Sequence, residues 1–177
     1  VVIAGHGRDQ LEQALAGRAT IAVQEPQLGT GHAVQQAESA LAGYDGDVLI
    51  LYADVPFVRA ETMRAMVERL HQDDAPAVVV LGFEPDDPLQ YGRIIAQAGR
   101  IEKMVEFKDA TPEERSCRLC NSGLMAVRST HLFDLLRRVG NDNAQGEYYL
   151  VDIVNIANAD GQACAVIVAE DPDEVAG

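Results

Sequence analysis

The chain has 177 residues, 47% hydrophobic and 24% charged, which suits one soluble globular domain with a sizeable core and excludes a low-complexity tract. Fourteen Lys and Arg against twenty-eight Asp and Glu leave a formal charge of -14, which argues against a protein that grips nucleic acid by its phosphates. No apolar run approaches the roughly 20 residues of a membrane span, the start lacks the basic region of a signal peptide, and three cysteines make no even-numbered framework, so the expected setting is the reducing cytoplasm.

Val1 to Ala4 reads as a strand with no loop before it, which suggests a piece of something longer. Gly5-His6-Gly7 is a turn into a helix over roughly Asp9 to Ala16, with Leu11, Ala14 and Leu15 as its buried stripe and Gly17 closing it. Ala19 to Val23 is the next strand, Gln24 to Leu28 a loop, and His32 to Leu41 a helix entered through Gly29-Thr30-Gly31. The apolar run from Val48 to Pro56 predicts a strand buried on both faces in the middle of a parallel sheet. A helix over Ala60 to Gln72 turns Met63, Met66, Val67 and Leu70 to one side, and Ala77 to Phe83 is another buried strand. Strand and helix alternate this far, which predicts a layered, mostly parallel sheet with right-handed crossovers.

Then the pattern changes. Gly92 to Gln97 and Ile101 to Glu106, joined at Ala98-Gly99-Arg100, read as an inserted β-hairpin. Glu113 to Arg115 begins a short helical or loop segment, Ser122 to Val127 is a strand, and His131 to Val139 is a helix ending at Gly140. Glu147 to Ala159 reads as a helix with Tyr149, Ile153, Ile156 and Ala157 inward, and Cys164 to Val168 as a late strand.

Ligands of open α/β sheets bind beyond the carboxyl ends of the strands, so Asp54 stands where a metal or phosphate would be held, unless it only caps a turn before the helix near Ala60. Gly29-Thr30-Gly31 can offer backbone N–H groups to an anion, or serve turn geometry with Thr30 as N-cap. Gly92 would let a ligand approach the backbone, or mark a bulge. Glu106 and Lys108 flank Phe107 and in strand geometry face one side, for sugar and phosphate or as a surface ion pair. Cys117 and Cys120 have metal-site spacing but no second pair, and the four histidines form no ligand pattern.

Taken together, Gln24 to Ala33, Tyr52-Ala53-Asp54-Val55-Pro56, Tyr91-Gly92-Arg93-Ile94, Val105 to Ala110, Asn121-Ser122-Gly123 and Asn143 to Tyr149 closely resemble the uridylyltransferase domain of the bacterial bifunctional enzyme that makes UDP-N-acetylglucosamine. The resemblance covers nearly the whole chain. It implies a Rossmann-like, three-layer, GT-A-like nucleotidyltransferase fold and a reaction in which N-acetylglucosamine 1-phosphate attacks the α-phosphorus of UTP in line and pyrophosphate leaves. It further implies that Gln24, Gly29 and Thr30 meet the uracil and ribose, and that Tyr52, Ala53 and Asp54 line the nucleotide sugar, with Asp54 a Mg2+ ligand. Gly92, Glu106 and Asn121 would hold the N-acetylglucosamine by backbone, carboxylate and amide.

The chain also departs from that pattern. Nothing matches the family's first strand, its glycine-rich signature loop with Arg, or the following Lys that grips phosphate. A second metal ligand, an Asn beyond the segment Glu174-Val175-Ala176-Gly177, and the C-terminal left-handed β-helix that carries acetyltransfer and trimerisation would lie past the end. Ala53 stands for a usual glycine and Ser122 for a usual threonine, the latter a minor change. The expectation is therefore a nucleotidyltransferase domain truncated at both ends, less stable or self-associating for want of its first strand. The runner-up is a fragment that binds nucleotide sugar without turnover, and a pyrophosphorylase for another sugar or base comes third.

Overall fold

The computed structural model describes residues 1–175, so the expectation of a metal ligand beyond Gly177 lies outside the described residues. β1 (Val2–Ala4) and β2 (Ile21–Val23) form a small parallel sheet, joined through α1 (Arg8–Leu15). The stripe expected on α1 is not buried: Leu11 and Leu15 are half-exposed and Ala14 exposed, because a two-stranded sheet offers too little apolar surface to cover a helix. α2 (Thr30–Gln35) is shorter than the predicted His32 to Leu41. After Gln35 the chain tightens into i to i+3 bonds, Gln36 to Ala33, Ala37 to Val34 and Glu38 to Gln35, and ends in a 3-10 turn at Ser39–Leu41.

The main sheet has six strands: β3 (Asp47–Ile50), β4 (Val78–Phe83), β5 (Arg93–Gln97), β6 (Arg100–Val105), β7 (Cys120–Arg128) and β8 (Cys164–Val168), in the order β3-β7-β4-β8-β6-β5. Here one expectation is corrected. β3 is an edge strand, half-buried except at Ile50, and its ladder is antiparallel to β7. The strand buried at every residue is β4. An apolar run reports burial but not neighbours, and β7 takes the place beside β3 that the alternation assigns to a parallel strand. β3, β4 and β8 do share one direction, as the crossovers require. Yet within this sheet only the β4–β8 ladder is parallel among the described residues, since β7 runs against β3, β4 and β5, and β6 runs against β5 and β8.

Two apolar clusters cover the two faces and make three layers. α3 (Ala60–Leu70) buries Met66 and Leu70 against Val79, Leu81, Leu124 and Ala126, while Met63 and Val67 stay half-buried beside Leu49 at the β3 edge. On the opposite face α5 (Ser129–Leu136) and α6 (Asp152–Ala159) set Leu132, Leu136, Ile153, Val154 and Ala157 against Val78, Val80, Met125 and Val127.

α6 begins at Asp152, not at Glu147, and the reason is local. Backbone groups of the strap before it bond across the molecule instead: Tyr148 N–H to Leu28 O at 2.8 Å, Tyr148 O from Gly31 N–H at 2.7 Å, and Leu150 N–H to Thr30 Oγ1 at 2.9 Å. Groups spent on a tertiary partner cannot also close helical turns. The short helix α4 (Pro112–Arg115) is fixed by a capping box between Thr111 and Glu114.

The hairpin turn is tight, with Ala98 at φ 51 and Gly99 at φ 78 between β5 and β6. Both central residues are left-handed, as the twist of a two-residue hairpin demands, and for alanine that conformation is strained. Ala98→Asn should therefore raise stability by about 0.5 to 1 kcal/mol. A urea midpoint that does not rise, at unchanged slope, would show that the turn holds no strain.

Candidate active site

The turn after β3, the segment leading into β5, the end of β6 and the opening residues of β7 meet around a cavity of about 280 Å3. It is lined by Thr30, Tyr52, Asp54, Gly92, Glu106 and Asn121, all singled out from the sequence, and also by Val55, Gln90, Tyr91, Ser122, Gly123 and Val175. Asp54 stands in the turn that follows β3, closed by Val55 N–H to Tyr52 O at 3.2 Å. Ala53 sits at the corner of that turn, exposed and outside the cavity lining.

β7 presents its residues through an irregularity. Val80 pairs with Met125, but Gly82 pairs with Asn121, so β7 carries extra residues opposite Leu81. The Ser122 hydroxyl fills the gap in the ladder, donating to Leu81 O at 2.6 Å and accepting Leu124 N–H at 3.2 Å. Bulges of this kind re-aim neighbouring side chains. Asn121 donates its own N–H to Gly92 O at 2.9 Å and accepts Gly123 N–H on Oδ1 at 3.0 Å. Gly123, at φ 86, has no side chain where one would meet the Tyr52 ring at 2.5 Å, so the ring can lie against β7.

The electrostatics are those of an acidic, partly desolvated hollow. Burial pushes the Tyr52 phenol up to about 12; its hydrogen bond with Thr30 opposes this, and Glu106 and Asp54 add to it. Tyr52 is therefore a neutral donor near pH 7. The Glu106 carboxyl is raised above the usual carboxylate range by burial first, then by Asp109 and Asp152. Asp152 is raised by its own burial and by Asp109, against a hydrogen bond from Asn155. Among the described residues no Lys or Arg lines the 280 Å3 cavity.

Glu106 and Lys108 do face one hollow, but not as strand neighbours, because β6 ends at Val105. Both line an adjoining cavity of about 190 Å3 with Gln90, Phe107, Gln145 and Tyr149. Lys108 donates to Gln145 Oε1, and the surface ion pair with Glu106 is not among those formed by the described residues. Behind Gly92, the buried guanidinium of Arg93 donates to the carbonyls of Pro88, Leu89, Tyr91 and Arg115 and lies 5.6 Å from the Phe107 ring centre, holding the loop that carries Gln90 and Tyr91.

Gln24 and Gly29 fall outside this cavity. Gln24 is buried, its Nε2 donating to Gly29 O at 2.9 Å and lying 3.1 Å from His32 Nδ1, at the wall of a separate cavity of about 660 Å3 that Gly5, His6, Arg8 and Gln27 also line. At Gly29, which is the N-cap of α2 in place of Thr30, a Cβ would lie 2.7 Å from Tyr148 O. The glycines there admit the strap backbone, and Gly31 N–H is spent on Tyr148 O, so it is not an anion donor. Cys117 and Cys120 are free thiols, and no group of three or more metal-ligating side chains occurs among the described residues.

Comparison with known proteins adds the decisive observation: residues 1–148 match the MobA-like NTP transferase domain. The chain belongs to that family. As a member of the MobA-like NTP transferase domain family, it is a nucleotidyltransferase domain. It is 74% identical over 177 residues to the bifunctional protein GlmU of Novosphingobium aromaticivorans and 69% identical to that of Sphingopyxis alaskensis, in each case covering 100% of this chain and 39% of the relative. The chain thus spans well under half the length of these relatives. A UDP-glucose pyrophosphorylase solved with UDP-glucose superposes with a TM-score of 0.66 at 18% identity, over 94% of this chain and 70% of its own, which establishes the shared nucleotidyltransferase fold.

Val55, Tyr91, Ser122 and Gly123 stand inside the motifs quoted from the sequence but receive no role at the site there, and reading along the chain misses Gln90 and Val175. Gln90 lies two positions before the flagged Gly92, but Val175 carries no local signal because tertiary packing alone brings it to the cavity.

Two outcomes follow from this geometry. Ser122→Ala should destabilise by about 1 to 3 kcal/mol, since Leu81 O and Leu124 N–H lose their partner in the core, while Ser122→Thr stays near the parent; equal unfolding midpoints for all three proteins would refute this. Glu106 binds its proton more tightly when folded, so its contribution favours the fold below its ordinary pKa and is lost as pH rises through the raised value. Glu106→Gln should accordingly stabilise the ligand-free protein at pH 7 by about 0.5 to 1 kcal/mol, with no gain at pH 4, as read from thermal midpoints at the two pH values.

Proposed function

We propose that this domain transfers uridylyl from UTP to N-acetylglucosamine 1-phosphate, giving UDP-N-acetylglucosamine and pyrophosphate, in the cytoplasm and as a step toward cell-envelope polymers. The observation that carries the reading is the convergence of Thr30, Tyr52, Asp54, Gly92, Glu106 and Asn121 on one cavity at the strand ends. The names of the GlmU relatives and the pyrophosphorylase fold support it.

Each residue has a role that suits its chemistry. Glu106 and the Asn121 amide suit sugar hydroxyls and the N-acyl group, and Gly92 lets the ring approach the backbone. Gln24, Gly29 and Thr30 would meet the uracil and ribose, and the neutral Tyr52 phenol, with Ala53 and Asp54, would line the nucleotide sugar. Gln24 offers the uracil edge its amide oxygen, since its Nε2 is held by Gly29 O.

The Asp54 carboxylate lies exposed at the cavity, and no hydrogen bond or ion pair engages it among the described residues. Magnesium takes oxygen ligands, commonly one or two carboxylates completed by substrate phosphates and water, and Asp54 fits that requirement. When bound there, the ion would offset the charge of two anionic substrates brought into an acidic protein. The chain's own contribution is alignment: a sugar phosphate held at Glu106 and Asn121 and a nucleotide held at Thr30 and Tyr52, placed so that a phosphate oxygen faces the α-phosphorus.

The test is pyrophosphate release by the full-length protein from UTP and N-acetylglucosamine 1-phosphate. Turnover should require Mg2+, and Asp54→Asn should lower it on the order of 100-fold. Equal turnover by the variant, or none by the parent at any Mg2+ concentration, refutes the reading. Thermal stabilisation by UDP-N-acetylglucosamine without turnover would favour binding alone.

A further inference from the structure

One buried carboxylate has no part in the roles above. Glu174 lies in a 3-10 turn, Pro172–Glu174, with its side chain 2% exposed. Its Oε1 accepts the backbone N–H of Arg59 at 2.7 Å, across 115 positions of sequence. Arg59 is where α3 begins, in extended conformation and with no side-chain cap of its own. Glu174 therefore caps α3 from the far end of the chain. A desolvated carboxylate persists only where donors and positive potential meet it. The helix N-terminus supplies both, and the Arg59 guanidinium adds to them, 3.8 Å from Glu174 Oε2 and 2.8 Å from Asp171.

A second tie lies beside the first. Val55 and Val175, the residues directly after Asp54 and Glu174, are both buried in the apolar cluster around Phe83 and Leu124, and both line the cavity with Asp54. The chain from Asp54 to α3 is thus held at one end by the cluster containing Val175 and at the other by Glu174. Between the two ties Phe57 is 74% exposed, so the loop draws little support from its own largest apolar side chain.

We propose that Glu174 is a positioning residue for the Asp54 end of the cavity. By holding Arg59 at the start of α3, it sets where the Asp54 turn stands against the C-terminal turn, without itself touching cation or substrate. The kinetic arm of the test rests on the proposed function, and the exchange arm stands on geometry alone.

Three variants of the full-length protein separate the possibilities. Glu174→Ala removes the acceptor, Glu174→Gln keeps an oxygen for Arg59 N–H, and Arg59→Ala removes the ion pairs while leaving the backbone bond. Hydrogen–deuterium exchange over residues 54–62 should quicken about fivefold or more in Glu174→Ala and stay near the parent in the other two. The Mg2+ concentration for half-maximal turnover should rise about tenfold in Glu174→Ala, with the KM for sugar phosphate little changed and with recovery in Glu174→Gln. Parent-like exchange and Mg2+ dependence in Glu174→Ala would overturn the proposal. So would a uniform loss in both kinetic terms and in thermal midpoint that Gln does not recover, because that marks a residue which only holds the fold. If the parent turns over no UTP with any divalent cation, the proposed function fails, and the exchange comparison still decides the clamp.

Discussion

The cavity depends on β7 lying antiparallel between β3 and β4. Because β7 runs against both neighbours, its first residues stand beside their last ones: Asn121 faces Gly82, and Met125 faces Ile50. A parallel strand in that place would put its own carboxyl end there, and the residues at its start would lie at the opposite edge of the sheet. With β7 reversed, Tyr52 and Asp54 just beyond β3 come against Asn121 to Gly123, and one hollow forms from segments some 70 positions apart, the separation of Tyr52 and Gly123. The bulge at Ser122 completes the arrangement, since its hydroxyl satisfies the ladder groups that the extra residues free.

Closure on the other side comes from the strap at Tyr148 to Leu150. It docks on Gly29-Thr30-Gly31 by main-chain bonds and needs glycine at the contact, where a Cβ would strike the Tyr148 backbone. Two stretches that look like separate ligand motifs are therefore also each other's packing partners. Thr30 belongs to both arrangements: its hydroxyl meets Leu150 N–H, and its residue lines the cavity. Arg93 plays a comparable part behind Gly92, where a buried guanidinium gathers carbonyls that a loop of this shape would leave without donors.

The charge distribution has a cost. Glu106 and Asp152 are kept above their ordinary range by burial and by a neighbouring carboxylate, and among the described residues the cavity beside Asp54 holds no basic side chain. Such a site is poorly matched to anions until a cation is present, and it keeps stability in reserve for the bound state. In the proposed reaction the same acidity would make binding of nucleotide and sugar phosphate depend on a cation.

The order of elements was legible from local pattern, because helical stripes, apolar runs and the Ala98-Gly99 hairpin turn are written in neighbouring residues. So was part of the candidate site: Asp54 beyond an apolar run and Gly92 before a hairpin are residues at element ends, whereas Asn121 stands out only through the family resemblance. Tertiary structure decided the rest. β3 became an edge strand because hydrophobicity records that a residue is covered and not by which strand. α6 lost its first turns because the strap's polar groups found partners more than a hundred positions away. Val175 reached the cavity, and Glu174 the start of α3, through contacts between the two halves of the chain, which no window along the sequence spans.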